Sequence, residues 1–326
     1  MSNRRITRRT FIKGAGLAAM AAAGRVSIRG SIAEASSTEH KVPHSSGSEP
    51  PKLKAPVNAC DCHLHIYDER FPPPGPVARL VKGAAVEQYR LLQKRIGTTR
   101  AVIVTPSAYA TANAVTIDGI AHLGPAEARG VAVVRTEVTD AELKKMADGG
   151  IRGIRFTLFD PKTAVTGFEM IEPLAKRAND LDWHVQLHFR GDQIVEKEEL
   201  LMRIAAPIVF DHMGRIPQPA GVKHPAFTII CRLIDKGRTW VKLSGVYQDS
   251  KVGPPTYADT TELARAYLKF APERMVWGSD WPHPTEREHK PNDAVLFDLL
   301  PEWAPDESLR NKVLVDNPAV LYGFGK

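Results

Sequence analysis

From about residue 58 onward, two hydrophobic patterns alternate along the chain. Short apolar, β-branched runs of strand length fall at 58–66, 100–106, 130–135, 153–159, 183–189, 206–211, 239–245 and 274–279. Between them lie longer stretches of helical character at 86–96, 113–123, 139–148, 168–181, 193–204, 225–236 and 257–270. The third has a start signal: Thr139 is placed as N-cap with Glu142 three residues on, a capping box, and Gly149-Gly150 stop it. Eight strands separated by helices predict an α/β fold, a (β/α)8 TIM barrel. The competing architecture, an open doubly wound sheet, calls for a glycine-rich phosphate loop after an early strand. Residues 58–326 hold neither a G-x-G-x-x-G nor a Walker A pattern.

Composition adds little until its distribution is considered. The 326 residues are 43% hydrophobic and 25% charged, an ordinary globular balance that excludes wholesale disorder. The net charge of +7 suggests nucleic acid, but it is concentrated at the N-terminus. Residues 1–35 carry Arg4, Arg5, Arg8, Arg9, Lys13, Arg25 and Arg29 against Glu34 alone, and this accounts for nearly all of the excess. No nucleic-acid partner is therefore expected. The Arg8-Arg9 pair, a short apolar run from Gly14 to Gly24 and the small-x-small Ala33-Glu34-Ala35 follow one another in an order that resembles a twin-arginine export signal. The apolar run is too short to span a bilayer, so no stable membrane anchor is expected. Residues 1–35 are expected to engage the export machinery and be removed, leaving a periplasmic or otherwise exported protein. Residues 36–57, rich in Ser, His, Pro and Lys, predict a solvated, disordered linker, and 58–326 the folded barrel domain. Cys60, Cys62 and Cys231 make no disulfide framework.

Catalytic side chains of such a barrel sit where strands end at its C-terminal face. Strand one ends in Asp61-Cys62-His63-Leu64-His65. Strict alternation aims Asp61, His63 and His65 inward together and Cys62 outward, against a helix. H-x-H spacing suits a single metal ion. Strand five ends in His188, strand six in Asp211-His212-Met213-Gly214-Arg215, and strand eight in Gly278-Ser279-Asp280-Trp281-Pro282-His283-Pro284. Alternation aims Asp211 away from His212, and Lys242 reads as a strand lysine with its amine at the surface.

These motifs resemble the amidohydrolase superfamily, of the amidohydrolase 2 type. The closer likeness is to the branch that contains 2-pyrone-4,6-dicarboxylate lactonase and D-galactarolactone isomerase, and it covers about residues 57–323. It extends to Thr105-Pro106-Ser107-Ala108-Tyr109, Arg152-Gly153-Ile154-Arg155-Phe156 and Val241-Lys242-Leu243-Ser244-Gly245. The resemblance implies that His63, His65, His188 and Asp280 bind one divalent ion, with zinc suited to three imidazoles and a carboxylate. It also implies that Asp280 takes a proton from water and that His212 polarises the carbonyl. Members of this branch also work without metal, with Asp280 as general base alone. The full ligand set here favours the metal-assisted reading.

Arg155 matches a substrate-carboxylate arginine, whereas two further arginines of the pyrone lactonase align with Pro161 and near Gln248. That loss points to a less charged small-molecule lactone, such as a sugar-acid lactone. Ser107, Tyr109, Arg215 and His283 are further candidates for substrate contact, and Asn113 for the same role or an N-cap. The expected activity is hydrolysis of a cyclic ester. The alternatives are a metal-free lactonase or lactone isomerase, a decarboxylase of the amidohydrolase type, and a barrel that binds a sugar acid without turnover. A nucleophilic serine or cysteine is not expected, since no G-x-S-x-G elbow is present.

Overall fold

The alternation folds as predicted. The computed structural model describes residues 41–75 and 80–325; the expected export signal lies outside them. Eight parallel strands form one sheet in sequence order: β1 Cys60–Leu64, β2 Arg100–Val104, β3 Ala128–Ala132, β4 Ile151–Thr157, β5 His184–His188, β6 Ile208–Phe210, β7 Thr239–Leu243 and β8 Met275–Trp277. The sheet closes on itself past the end of β8. Asp280 N–H donates to His63 O (2.7 Å) and His65 N–H to Trp281 O (2.8 Å). Gly278 makes this seam possible, because a Cβ there would lie 2.7 Å from His63 Cβ.

Helices cover the outside: α1 Val86–Ile96, α2 Ala114–Leu123, α3 Asp140–Asp148, α4 Ile171–Asp180, α5 Gly191–Glu196, α6 Glu198–Arg203, α7 Pro225–Asp235 and α8 Ala258–Phe270, with α9 Asp293–Phe297 following β8. The capping box of α3 is formed, with Glu142 N–H donating to Thr139 Oγ1 (3.2 Å) and Thr139 N–H to Glu142 Oε2 (2.8 Å). The single helix expected over 193–204 is instead two, broken at Lys197, whose ψ of 17° leaves the helical track.

Inward residues of alternate strand positions (Cys60, Cys62, Val102, Val104, Val131, Val209, Trp240 and Val276) fill the barrel. Tyr322 and Phe324 near the C-terminus floor it. Phe324 lies under the guanidinium groups of Arg100 and Arg129, at 5.2 and 4.6 Å.

Residues 41–57 correct the expectation of a solvated linker. They form a strap on the barrel because apolar and backbone groups there find partners. Val42 is buried, Pro43 O accepts from the Trp281 indole N–H (2.8 Å), and Arg95 donates to Ser45 Oγ (3.1 Å) and to the carbonyls of Ser46 (3.2 Å) and Glu49 (2.9 Å). Farther along, the N–H groups of Lys52 and Leu53 donate to Asp298.

Candidate active site

The end of β1 departs from strict alternation. Its register against β2 shifts between Asp61 and Leu64, a β-bulge. One extra residue reverses the facing of what precedes it. His63 and His65 both point inward, but Asp61 does not join them. Asp61 is fully buried on the helix side, where its carboxylate accepts from Ser279 Oγ (2.6 Å), Ser279 N–H (2.9 Å) and Tyr89 Oη (3.2 Å). Cys62 correspondingly lies in the barrel interior, not against a helix.

The imidazoles converge on Asp280. His65 Nδ1–H donates to Val104 O (2.8 Å), so its Nε2 carries a lone pair. That Nε2 lies 3.3 Å from His63 Nε2 and 3.4 Å from Asp280 Oδ1, and His63 Nε2 lies 3.5 Å from the same oxygen. The other carboxylate oxygen is already occupied: Tyr247 Oη (2.7 Å) and Gln248 Nε2 (2.8 Å) both donate to Oδ2. Burial would raise the Asp280 carboxyl pKa, but His212, His65 and His63 hold it well below the usual carboxylate range.

Behind His63 stands a second buried carboxylate. Asp211 Oδ2 accepts from Arg155 Nε (2.9 Å) and Gln186 Nε2 (3.1 Å). Its Oδ1 is 3.1 Å from His63 Nδ1 and 3.8 Å from Lys242 Nζ, yet has no hydrogen bond. Lys242 is wholly buried, correcting the surface reading. Its Nζ donates to Gln186 Oε1 (2.7 Å) and lies 3.2 Å from His63 Nδ1, and burial pushes its pKa down to about 8. Asp211 likewise faces the interior, because Val209 two residues earlier does. His212 reaches the site by leaving the strand with φ 48°. Alternation thus aims Asp211 inward, and the turn at His212 brings the second side chain.

His63 therefore has two tautomers within reach. With Lys242 donating to Nδ1, Nε2–H points at Asp280 and His65. With the proton on Nδ1, the orphaned Asp211 oxygen gains its donor and Nε2 offers a lone pair. The second state presents two imidazole lone pairs and a carboxylate oxygen at one point, with a carboxylate behind one histidine, as metal sites require. His63, His65 and Asp280 thus fit a cation, their ligand atoms lying within 4.8 Å of one another; His63, Asp211 and His212 form an overlapping group.

His188 stands outside both groups. Its Nε2 is 3.2 Å from Arg215 Nη1, its Nδ1 is buried without a partner, and its ring stacks on Phe159 at 5.4 Å. His212 is bound at Nδ1 by Ser244 Oγ (2.9 Å), its Nε2 lies 3.9 Å from Asp280 Oδ1, and burial lowers its pKa to about 4. Gly245 (φ 61°) is needed beside it, since a Cβ would meet His212 Nδ1 at 2.6 Å.

The remaining candidates separate. A cavity of about 1140 Å³ at the mouth is lined by Ser107 and His188 among others. Arg155 is bound through Nε, and its Nη groups have no hydrogen-bond partner among the described residues. Arg215 forks onto Asp249 (2.6 and 3.1 Å) and supports His188. His283 is buried behind Tyr247: its Nδ1 is 2.9 Å from Tyr247 Oη and its Nε2 3.1 Å from Asp293 Oδ2. Tyr109 does not face the cavity. It is buried, and its hydroxyl both donates to Asp68 O and accepts from Asp68 N–H (3.0 Å each). Asn113 gives α2 no side-chain cap and instead ties Thr105 to Val133. Tyr247 carries no signal in the sequence pattern and Gln248 enters it only as the place of a missing arginine, since both lie in a one-turn 3-10 segment after β7.

Comparison with known proteins agrees with this fold. The amidohydrolase family model (Amidohydro_2) matches residues 60–324. A 4-sulfomuconolactone hydrolase of Rhizobium radiobacter is 34% identical over 85% of this chain and 93% of its own length. The D-galactarolactone isomerase of Agrobacterium fabrum is 33% identical over 83% of this chain and 93% of its own. The apo crystal structure of an Agrobacterium tumefaciens protein superimposes with a TM-score of 0.79 at 30% identity, covering 86% of this chain and 99% of the other. With family match, relatives and barrel in agreement, the chain belongs to the amidohydrolase family.

Proposed function

We propose that this protein hydrolyses a lactone of a hydroxylated, sugar-acid type, assisted by one divalent cation such as zinc. The observation that carries this reading is the division of Asp280: Oδ2 is held by Tyr247 and Gln248, while Oδ1 faces His63 and His65. The names of the relatives, which act on lactones, support the substrate class. His63, His65 and Asp280 would hold the cation, with Asp211 behind His63. When bound, such an ion polarises a carbonyl and lowers the pKa of water toward ~7.

The chain's own groups do the rest. Asp280, ionised and fixed in orientation, takes the proton of the attacking water at Oδ1. In the tautomer where Ser244 Oγ donates to His212 Nδ1, 2.9 Å away, Nε2–H is a donor for the carbonyl oxygen. The free Nη groups of Arg155 suit one carboxylate of the substrate. Pro161 offers no second arginine fork, and Gln248 is committed to Asp280. This favours a singly charged, hydroxylated ring over a dicarboxylate. The place of action we propose, outside the cytoplasm, rests on residues 1–35 of the sequence.

The test is acid release from a panel of hydroxylated lactones at constant pH, with products followed by NMR, before and after chelation. Hydrolysis releases one acid equivalent per ring opened, whereas isomerisation releases none. About one ion per chain, with activity lost on stripping and restored on return, is expected. No acid release from any lactone would overturn the reading. Hydrolysis indifferent to chelator, in protein without metal, would overturn only the cation and leave Asp280 as sole base.

A further inference from the structure

The strap brings a side chain of its own to the cavity. His44 lines the same cavity as Ser107 and His188, yet it precedes the segment that matches the family model, residues 60–324. Three observations show that it is held there. The preceding carbonyl, of Pro43, accepts from the Trp281 indole. The His44 ring meets the Trp281 ring edge-on at 6.1 Å. Its Nε2 lies 2.8 Å from Lys82 O.

The last contact settles the tautomer. A carbonyl only accepts, so Nε2 carries the proton, and Nδ1 of the neutral ring is an acceptor. Among the described residues Nδ1 has no hydrogen-bond partner. Burial lowers the ring's pKa below its ordinary value, against the opposing pull of the Lys82 and Gly83 backbone, which favours the acceptor form. An acceptor at the rim is suited to a hydroxyl and repels a carboxylate.

The geometry points to His44 as a specificity residue, accepting a hydrogen bond from a substrate hydroxyl at the cavity rim. This inference rests on the lactonase reading for its substrate class, but its test does not depend on turnover.

Calorimetry on the full chain measures binding of D-gluconate, the hydroxylated open acid, and of 5-hydroxyvalerate, which lacks the inner hydroxyls. His44→Phe keeps an aromatic edge against Trp281 and removes the acceptor. His44→Gln can still donate to Lys82 O and offer an oxygen. One neutral hydrogen bond corresponds to about fivefold in affinity. We expect His44→Phe to weaken gluconate about fivefold, to leave hydroxyvalerate unchanged, and His44→Gln to restore most of the loss, with thermal unfolding of both variants close to the parent's. Equal weakening of both acids, no weakening of either, or no gluconate binding by the parent would overturn the assignment. Parallel assays on D-glucono-1,5-lactone keep the two readings apart: a parent that binds gluconate through His44 but releases no acid would count against the lactonase and not against His44.

Discussion

Asp280 uses its two oxygens differently, and that asymmetry depends on single residues. Tyr247→Phe removes one of two donors to Oδ2 without touching Oδ1. A hydrogen bond to a charged group contributes about 1.5–3 kcal/mol, so kcat is expected to fall roughly 10- to 100-fold with little change in KM, measured by steady-state lactone hydrolysis. Buried histidines also set an acid sensitivity. Burial lowers His212 from 6.5 to about 4 and His184 to about 3, and it moves His63 and His188 well down as well. As pH falls below 6.5, the unfolded chain binds protons at these rings while the folded chain does not, so stability is lost. Asp61 acts in the opposite sense: burial pushes its pKa up to about 6, and the folded state gains as it protonates. Four rings outweigh one carboxyl. Chelator-treated protein is expected to melt at a lower temperature at about pH 5 than at about pH 7, as read by circular dichroism.

At the scale of elements, the seam between β1 and β8 decides whether the site exists. Gly278→Ala would place a Cβ 2.8 Å from His63 N and 2.7 Å from His63 Cβ. Overpacking of this kind costs about 1–3 kcal/mol. Here it also displaces a proposed cation-holding residue, so both melting temperature and activity are expected to fall; unchanged activity would show that the seam is slack. The same seam shows why the sequence is legible only in part. Strand positions, helix spacing and the arrival of His63, His65, His212 and Asp280 at one mouth follow from periodicity and from where strands stop. Periodicity fails where the backbone departs from it. The bulge sends Asp61 outward and Cys62 inward, and the positive φ of His212 lets two neighbours, Asp211 and His212, enter the barrel together. Lys242 reads as surface because an unpaired interior lysine is costly. It is retained because Asp211 and Gln186 are also inside, which only the closed barrel reveals. The strap is hidden for a similar reason, since its polar composition is satisfied by Arg95 and Asp298, far away in sequence.

For the whole molecule, the floor is as consequential as the mouth. Phe324 spans two arginines whose side chains also donate to the carbonyls of Gly325 and Gly323, at 2.6 and 2.8 Å. Phe324→Ala is expected to cost about 3 kcal/mol in chemical denaturation while leaving KM for lactone unchanged, because Phe324 packs on Arg100, Arg129 and Tyr322, none of which lines the cavity at the mouth. The inward turn of Cys62 at the bulge puts two thiols, with Cys60, above that floor, whereas Cys231 sits on α7 in the outer layer, 8% exposed. The molecule therefore carries two chemical clocks. A thiol reagent reaches Cys231 when α7 frays, but reaches Cys60 and Cys62 only when strands part, so their labelling rates time separate openings of the same chain. Mass spectrometry of the labelled protein would resolve one fast and two slow adducts, and loosening the floor should shorten the slow interval while leaving the fast one alone.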